Sequence, residues 1–423
     1  MKCFRMLLVT LAAGPLAVLV VAAAPASAAT VCAGLDATIV GTRGDDVLEG
    51  TAGRDVIAGL AGDDKIRGAA GDDVICGGFG TDRLSGDEGN DRLYGERNGL
   101  RPSPDGPDDT IGDLLEGGPG DDLLDPGYDT ATDDGGGLLP DTISYADASA
   151  GVRVDLEAGT ATGDGTDVLV LDGSVNLTGS DHDDLLLGSS LGDSITSLGG
   201  DDVVDGRAGA DSLVDDVDGD SGPDGGRDFL LGGPGGDYLA PGTGDDVTRG
   251  GGGRDRIEDY AGASDILAGP GNDQISATVT LGRTDTRIVG GGGSDHLILG
   301  VGNGPRVPRD ARGRVDLAAG TVRTRVGDRT GSGELRRIES LVLPEGRWRV
   351  HGSRPGEVVL GGFLGTSRLV ARMGGGNDRV SGTPGPDLII GGAGRDAARP
   401  GRGRDTCRSV ERQPTGDRCE VRR

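Results

Sequence analysis

Residues 41–94 read GTRGDDVLE GTAGRDVIA GLAGDDKIR GAAGDDVIC GGFGTDRLS GDEGNDRLY, six consecutive units of nine residues. Every unit has glycine at its first and fourth positions, aspartate at its sixth, and leucine or isoleucine at its eighth. Self-similarity at a fixed period is the sequence mark of a solenoid. The period places a carboxylate beside a glycine-rich turn in every unit, at Asp46, Asp55, Asp64, Asp73, Asp82 and Asp91.

The local chemistry of each unit predicts a turn followed by a short strand. Glycine adopts the positive φ angles of tight turns and lets backbone carbonyls approach closely. The triplet around the eighth position has one apolar side chain with polar neighbours, which is typical of a strand with one buried face. Two units make one coil of 18 residues, so we predict an all-β parallel β-roll, a β-solenoid with an aliphatic ladder between two parallel sheets. Collagen requires glycine at every third position, and a disordered linker does not account for the regular aliphatic phase.

The repeat resembles the RTX, or hemolysin-type, calcium-binding nonapeptide family, whose motif is G-G-x-G-x-D-x-U-x with U a large aliphatic residue. Residues 77–85 (GGFGTDRLS) and 232–240 (GGPGGDYLA) match the motif at every defined position. The resemblance implies Ca²⁺ ions held between turns n and n+2 on each edge of the roll. These turns would pair Asp46 with Asp64, Asp64 with Asp82, Asp55 with Asp73, and Asp73 with Asp91.

The repeats stop and resume along the chain. The nine-residue step restarts after residues 96–110, a stretch rich in proline, glycine and charge, and we predict further metal ligands at Asp113, Asp122, Asp184, Asp193, Asp202, Asp211, Asp228, Asp237, Asp246 and Asp255. Two similar stretches, 151–156 and 313–317, read as spacer strands. A last series follows at Asp378, Asp387, Asp396 and Asp405, where Arg395 and Arg404 directly precede aspartates and could compete with calcium through ion pairs.

A second acidic pattern lies outside this register. Asp216, Asp218 and Asp220 alternate as in an EF-hand loop, although the twelfth position is Arg227 rather than glutamate. A solvated acidic loop between two repeat blocks is the favoured interpretation of this cluster.

Charge is distributed unevenly along the chain, whose net charge is -28. Residues 30–299 contain 56 acidic and 16 basic side chains, whereas residues 300–423 contain 14 acidic and 24 basic ones. Because an acidic chain of low hydrophobicity repels itself, we expect calcium binding and folding to be one event. The basic residues are scattered and the chain has a single tryptophan, so nucleic-acid binding is disfavoured.

The N-terminal residues predict export. Lys2 and Arg5 precede an apolar run and a small-residue cleavage site near residue 29, the pattern of a secretory signal peptide. We therefore expect a secreted, extracellular protein without membrane insertion. Cys32, Cys76, Cys407 and Cys419 favour disulfides in that compartment, and we prefer Cys32–Cys76 and Cys407–Cys419 among the three pairings.

The predicted organisation is a signal peptide (1–29), an N-terminal cap and calcium roll (30–95), an insertion with the first spacer (96–178), a second roll block (179–300), a second spacer (301–371) and C-terminal repeats with a cysteine-bearing cap (372–423). The expected function is calcium binding without catalysis. Two alternatives remain: an adhesin or envelope structural protein with a cell-surface or extracellular-matrix partner, and a secreted enzyme with an active site on the spacer strands.

Overall fold

In the computed structural model, the described residues are 30–97, 112–127, 140–215, 226–259, 261–302, 310–362, 367–412, 419 and 421–422. Regular structure in these ranges consists of strands, which confirms the predicted all-β class. None of these residues forms a helix with the length and apolar character needed to cross a membrane.

The N-terminal strands are β1 Val31–Cys32, β2 Leu35–Asp36, β3 Ile39–Val40, β4 Val47–Glu49, β5 Val56–Ala61, β6 Lys65–Arg67, β7 Val74–Phe79, β8 Arg83–Ser85, β9 Arg92–Arg97, β10 Leu114–Glu116, β11 Leu123–Asp125, β12 Thr142–Ser144, β13 Arg153–Asp155, β14 Thr160–Thr162 and β15 Thr166–Leu169. The central strands are β16 Asn176–Thr178, β17 Leu185–Leu187, β18 Ser194–Thr196, β19 Val203–Asp205, β20 Ser212–Val214, β21 Phe229–Pro234, β22 Tyr238–Ala240, β23 Val247–Gly252, β24 Arg256–Asp259, β25 Asp265–Gly271, β26 Gln274–Thr280, β27 Thr286–Gly293 and β28 His296–Gly302. The C-terminal strands are β29 Arg312–Asp316, β30 Thr321–Val326, β31 Arg329–Arg336, β32 Ser340–Val342, β33 Arg347–His351, β34 Val358–Leu360, β35 Arg368–Arg372, β36 Arg379–Ser381, β37 Leu388–Ile390, β38 Ala397–Arg399, β39 Thr406–Arg408 and β40 Val421–Arg422.

The chain winds between two parallel sheets, one strand per half-coil. The first sheet has 16 strands in the order β4-β6-β8-β10-β12-β16-β18-β20-β22-β24-β26-β28-β32-β34-β36-β38. The second sheet begins β3-β5-β7-β9-β11 and contains the later odd-numbered strands together with β14, β30 and β40. Lys65 pairs with Val47 and Arg83 pairs with Lys65, so successive strands of a sheet are 18 residues apart, as the period predicted.

A ladder of aliphatic side chains fills the space between the sheets. Ile57, Ile66 and Ile75 are fully buried, and Leu84 and Leu93 continue the same series. Each such side chain contributes roughly 1.5–3 kcal/mol through burial. The outer faces carry the alternate residues, so Lys65 and Arg67 are exposed on either side of Ile66.

The insertion after β9 leaves this ladder in register. Leu115 pairs with Leu84 in the first sheet, and Leu124 pairs with Leu93 in the second sheet. The strands on either side of residues 98–111, which lie outside the described residues, are therefore paired as in consecutive coils of the roll.

Both predicted spacers are strands, and the structure adds that they form antiparallel meanders. β14 pairs antiparallel with both β13 and β15, and these outer two strands continue the second sheet through the parallel pairs β11–β15 and β13–β17. β29, β30 and β31 repeat this arrangement between β27 and β33. Each meander therefore adds strands to the second sheet only.

Two disulfides connect the ends of the chain to nearby coils. Cys32 is bonded to Cys76 of β7, and Cys407 of β39 is bonded to Cys419. The preferred pairing of the four cysteines is confirmed. Both bonds cover terminal coils, which would otherwise expose their strand edges and their part of the ladder.

Candidate metal sites on the two edges of the roll

The aspartates of the repeats stack in one row along each edge of the roll. We call the turns that lead into the first sheet the first edge and the turns that lead into the second sheet the second edge. On the first edge the backbone N–H of Asp46 donates to Oδ1 of Asp64, and the N–H of Asp64 donates to Oδ1 of Asp82, both at 2.8 Å. On the second edge the N–H of Asp55 donates to Oδ1 of Asp73 at 2.7 Å. One carboxylate oxygen thus links consecutive coils.

The structure places all sixteen predicted aspartates in these rows. The first edge contains Asp46, Asp64, Asp82, Asp113, Asp193, Asp211, Asp237 and Asp255, and the second edge contains Asp55, Asp73, Asp91, Asp122, Asp184, Asp202, Asp228 and Asp246. All are buried except Asp46, which is half-buried in an early coil. Their role as metal ligands stays a prediction.

In most of these side chains the second oxygen, Oδ2, has no hydrogen-bond partner among the described residues. This group comprises Asp64, Asp73, Asp91, Asp122, Asp202, Asp211, Asp228, Asp237, Asp246 and Asp255. A buried polar atom without a partner costs about 1–3 kcal/mol, and more when it carries charge. A series of such atoms along two edges needs a compensating partner, and oxygen-rich sites of this kind suit a hard cation.

In seven of these ten turns the first glycine of the repeat lies against the Oδ2 atom of the aspartate five residues later, whereas Ser197 and Pro241 occupy that position before Asp202 and Asp246. A Cβ atom added at Gly59 would clash with Oδ2 of Asp64 and would lie 2.6 Å from the carbonyl oxygen of Gly77 in the next coil. The same clash with the turn's own aspartate occurs at Gly68, Gly77 and Gly86. A carboxylate oxygen and a main-chain carbonyl therefore border one space, which any larger residue would fill. Ca²⁺ binds oxygens of both these kinds.

Burial and mutual repulsion make these carboxylates difficult to ionise without a cation. Burial raises the pKa of Asp91 to about 7, with repulsion from Asp122 and Asp73 adding to the effect. Burial also raises the pKa of Asp202 to about 7 and that of Asp246 to about 9. A bound divalent cation would reverse this preference, because an adjacent positive charge favours the carboxylate.

A second type of turn satisfies its aspartate with a hydroxyl group. Where threonine or serine follows the first glycine, its N–H and Oγ both bond the carboxylate four residues later: Thr42 with Asp46, Thr51 with Asp55, Ser180 with Asp184, Ser189 with Asp193 and Thr383 with Asp387. Although burial acts to raise it, these bonds and one from Thr38 hold the pKa of Asp55 below its usual value. We call these turns hydroxyl-capped, and each of the first two blocks begins with two of them.

The structure extends both rows beyond the sequence prediction. Asp273 and Asp295 continue the first edge, with the N–H of Asp255 donating to Asp273 at 2.9 Å and that of Asp273 donating to Asp295 at 3.1 Å. Residues 290–298 read GGGGSDHLI, a complete motif that a strict nine-residue count passes over because the coil before it is longer. On the second edge Oδ1 of Asp167, in the first meander, accepts from Asp122, and Oδ2 accepts from the hydroxyl of Tyr145.

Two aspartates occupy the slot of the first glycine and bring additional carboxylates to the second edge. Asp215 lies nine residues after Gly206, and Asp259 lies nine residues after Gly250. One carboxylate oxygen from each of Asp202, Asp215 and Asp228 lies within 4.8 Å of the others, and all three side chains are buried. The glycine-slot substitution was visible in the sequence, but only the stacking of coils shows that Asp215 meets the neighbouring row.

Two sequence predictions concern residues near these rows. The EF-hand-like Asp216, Asp218 and Asp220 lie outside the described residues. In the C-terminal block the structure records no ion pair between Arg395 and Asp396 within the described part of the chain. Arg395 is exposed, and Oδ2 of Asp396 has no hydrogen-bond partner there. Calcium competition from Arg395 is therefore not supported by these contacts.

The fold and its edges define the class: a parallel β-roll with rows of buried carboxylates in its glycine-rich turns. A family model described as the RTX calcium-binding nonapeptide repeat (4 copies) matches five segments of the chain. These are residues 40–75, 76–98, 178–213, 249–278 and 374–407. The chain thus carries RTX calcium-binding nonapeptide repeats, and repeats of this family bind Ca²⁺. No curated protein matches the chain.

Proposed function

We propose that this is a secreted, non-enzymatic calcium-binding scaffold whose two edge rows bind Ca²⁺ and whose folding depends on that binding. The observation that carries the proposal is the series of buried Oδ2 atoms without hydrogen-bond partners among the described residues, seven of which lie against the first glycine of their repeat, where any side chain would clash. The cation acts as the positively charged partner of these oxygens, for which the described part of the protein provides no hydrogen-bond donor. The aspartates of the rows hold it, together with main-chain carbonyls of the turns.

The two types of turn have different roles in the folding of each repeat block. Hydroxyl-capped turns satisfy their carboxylates with protein atoms, so they form the first coils of a block without requiring a cation. Turns with a free Oδ2 follow and require calcium to stack. Asp202, Asp215 and Asp228 supply three carboxylates to one place, so we expect the tightest binding of the second block there.

The extracellular assignment is supported by the two disulfides and the signal-like N-terminal residues. The non-enzymatic assignment is supported by the structural contacts of two of the histidines. Nδ1 of His296 lies 2.7 Å from Oγ of Ser340 in the neighbouring strand, and Nδ1 of His351 lies 3.3 Å from Oδ1 of Asp316.

A pair of neighbouring substitutions tests the ligand role. Asp64→Asn removes the charge of a buried side chain whose Oδ2 has no hydrogen-bond partner among the described residues, and it keeps the size of that side chain. Asp63→Asn makes the same change on the exposed neighbour in the same turn. We expect Asp64→Asn to reduce the number of bound calcium ions and to raise the calcium concentration at the folding midpoint by roughly tenfold or more, because a lost charged ligand weakens a carboxylate site. Asp63→Asn should leave both nearly unchanged. Calorimetric titration with equal stoichiometry and midpoint in the two variants would show that the row does not bind calcium as proposed.

A further inference from the structure

Two strands of the second meander, β29 and β30, and the adjoining strands β33 and β35 carry an ordered array of exposed arginines. Arg325, Arg312, Arg347 and Arg368 are directly opposite one another across β30, β29, β33 and β35. A second row, Arg323, Arg314 and Arg349, lies two residues along the same strands. All seven side chains are exposed. We call these seven residues the arginine grid.

The grid is poorly neutralised by the protein itself. Arg314 lies 3.4 Å from Asp316, and Arg325 lies 3.3 Å from the fully exposed Asp328. Within the described ranges the other five arginines have no ion pair. Like charges directly opposite across strands are destabilising, so the array opposes folding unless an anion lies on it.

The fold does not require this array. The first meander has the same strand arrangement, yet its outward-facing positions hold one arginine among other residues: Arg153, Asp155, Thr160, Thr162, Thr166 and Val168. The two meanders thus share an architecture and differ in surface charge. In a chain of net charge -28, a local cluster of seven arginines needs a reason other than architecture.

The geometry points to a linear anionic ligand. Neighbouring strands lie about 4.8 Å apart and alternate residues along a strand about 6.7 Å apart, so a row of four arginines covers about 14 Å. A small anion would engage one or two guanidinium groups, whereas a polymer with one charge per unit would engage a whole row. The grid borders a groove of about 790 Å³, which Thr284, Thr330 and Ser332 line with hydroxyl groups at one side.

We propose that the arginine grid binds an acidic polysaccharide with one carboxylate or sulfate group per repeating unit. Guanidinium groups form paired hydrogen bonds with such planar or tetrahedral anions, and the adjacent hydroxyl groups suit a sugar backbone. Single-stranded nucleic acid is a weaker match because base stacking needs exposed aromatic rings, and Trp348, which lies between the two arginine rows in β33, is only 2% exposed. An anionic membrane is also a weaker match, because binding at a membrane interface depends on burying apolar surface. Val370, opposite Arg349, is the apolar residue that the grid's outer face offers for this.

The proposal is tested with the full mature protein in calcium and short polygalacturonate chains as the probe, at matched free calcium and several ionic strengths. The test variant is Arg312→Gln with Arg347→Gln, which removes two neighbouring arginines without ion pairs. The control is Arg153→Gln with Arg408→Gln, which makes the same change in net charge at exposed positions outside the grid. Circular dichroism in calcium establishes that both variants retain the β structure of the parent protein.

We expect the parent and control proteins to bind polygalacturonate with an affinity that falls as salt rises, and the test variant to bind at least roughly tenfold more weakly, since charge-assisted hydrogen bonds are lost. Methyl-esterified polygalacturonate, which keeps the sugar backbone without its charge, should bind weakly to all three. Equal binding by test and control variants would overturn the proposal. So would equal binding of the esterified polymer, or stronger grid-dependent binding of oligo-dT or phosphatidylglycerol vesicles than of polygalacturonate.

Discussion

In chelator, the roll should be more stable at pH 5 than at pH 8. This is the reverse of the usual behaviour of a protein whose carboxylates form ion pairs or hydrogen bonds in the native state. Asp91, Asp122 and Asp202 are buried, and burial raises the pKa of each to about 7 from an ordinary value of 3.8. A folded-state pKa above the unfolded value means that the folded chain binds more protons between these two values. The free energy of unfolding therefore falls as pH rises through that range.

The size of the effect decides whether the metal-free roll folds at all. A rise from 3.8 to about 7 is equivalent to about 4 kcal/mol for each carboxylate at pH 8. Solvent screening and the repulsion between Asp91 and Asp122 make the combined cost smaller than the sum, but several kcal/mol remain, a large part of the stability of a typical domain, about 5–15 kcal/mol. Asp246, whose pKa burial raises to about 9, extends the same trend above neutrality.

The assay is urea unfolding followed by far-UV circular dichroism in excess chelator, at steps from pH 5 to pH 8. The lower limit matters because carboxylates paired with arginine, such as Asp155 with Arg207, have a pKa below the usual value and lose their stabilising effect only in stronger acid. We expect little β structure at pH 8 and a gain on acidification. With calcium the order should reverse, because protons compete with the ion for the same oxygens. A chelator-treated protein that is equally stable at both pH values, or more stable at pH 8, would refute the reasoning.

Two further substitutions test the interior of the roll. Ile66→Ala removes a fully buried ladder residue and should lower the free energy of unfolding in calcium by roughly 2–5 kcal/mol without changing the number of bound ions. Urea unfolding measures the free energy, and a calcium titration measures the number of ions. Lys65→Ala, on the exposed neighbour, serves as the control. Thr248→Val replaces a fully buried threonine, in a ladder position, whose Oγ1 has no hydrogen-bond partner among the described residues, and should raise the free energy of unfolding by about 1 kcal/mol. A stable Ile66→Ala variant, or a destabilised Thr248→Val variant, would show that the ladder is packed differently.

The repeat register could be predicted from the sequence because the turn glycine, the aspartate and the buried aliphatic residue each recur at a fixed position in every nine residues. Leu48, Ile57 and Ile66 fixed the coil length, since only a period of two units places them all between the same sheets. The pairing of the four cysteines followed from the need to cover terminal coils.

Other features depend on contacts between distant segments and could not be read from a local pattern. The meeting of Asp215 with Asp202 and Asp228 requires knowledge of which turns share an edge. The two arginine rows became visible only when the antiparallel register of β29 and β30 and the parallel register of β29 and β33 were known. The distinction between hydroxyl-capped turns and turns with a free oxygen was accessible in principle, because threonine or serine marks the former, but its meaning depends on the hydrogen bonds.

The most direct test of the central claim is a calcium titration of the mature protein at neutral pH, with bound ions and far-UV circular dichroism measured in the same samples. The edge rows predict little β structure in chelator and a rise in β structure that parallels the number of ions bound, at roughly 10⁻⁴–10⁻³ M calcium as in other extracellular sites. A complete β spectrum in excess chelator, unchanged as calcium binds, would contradict the account.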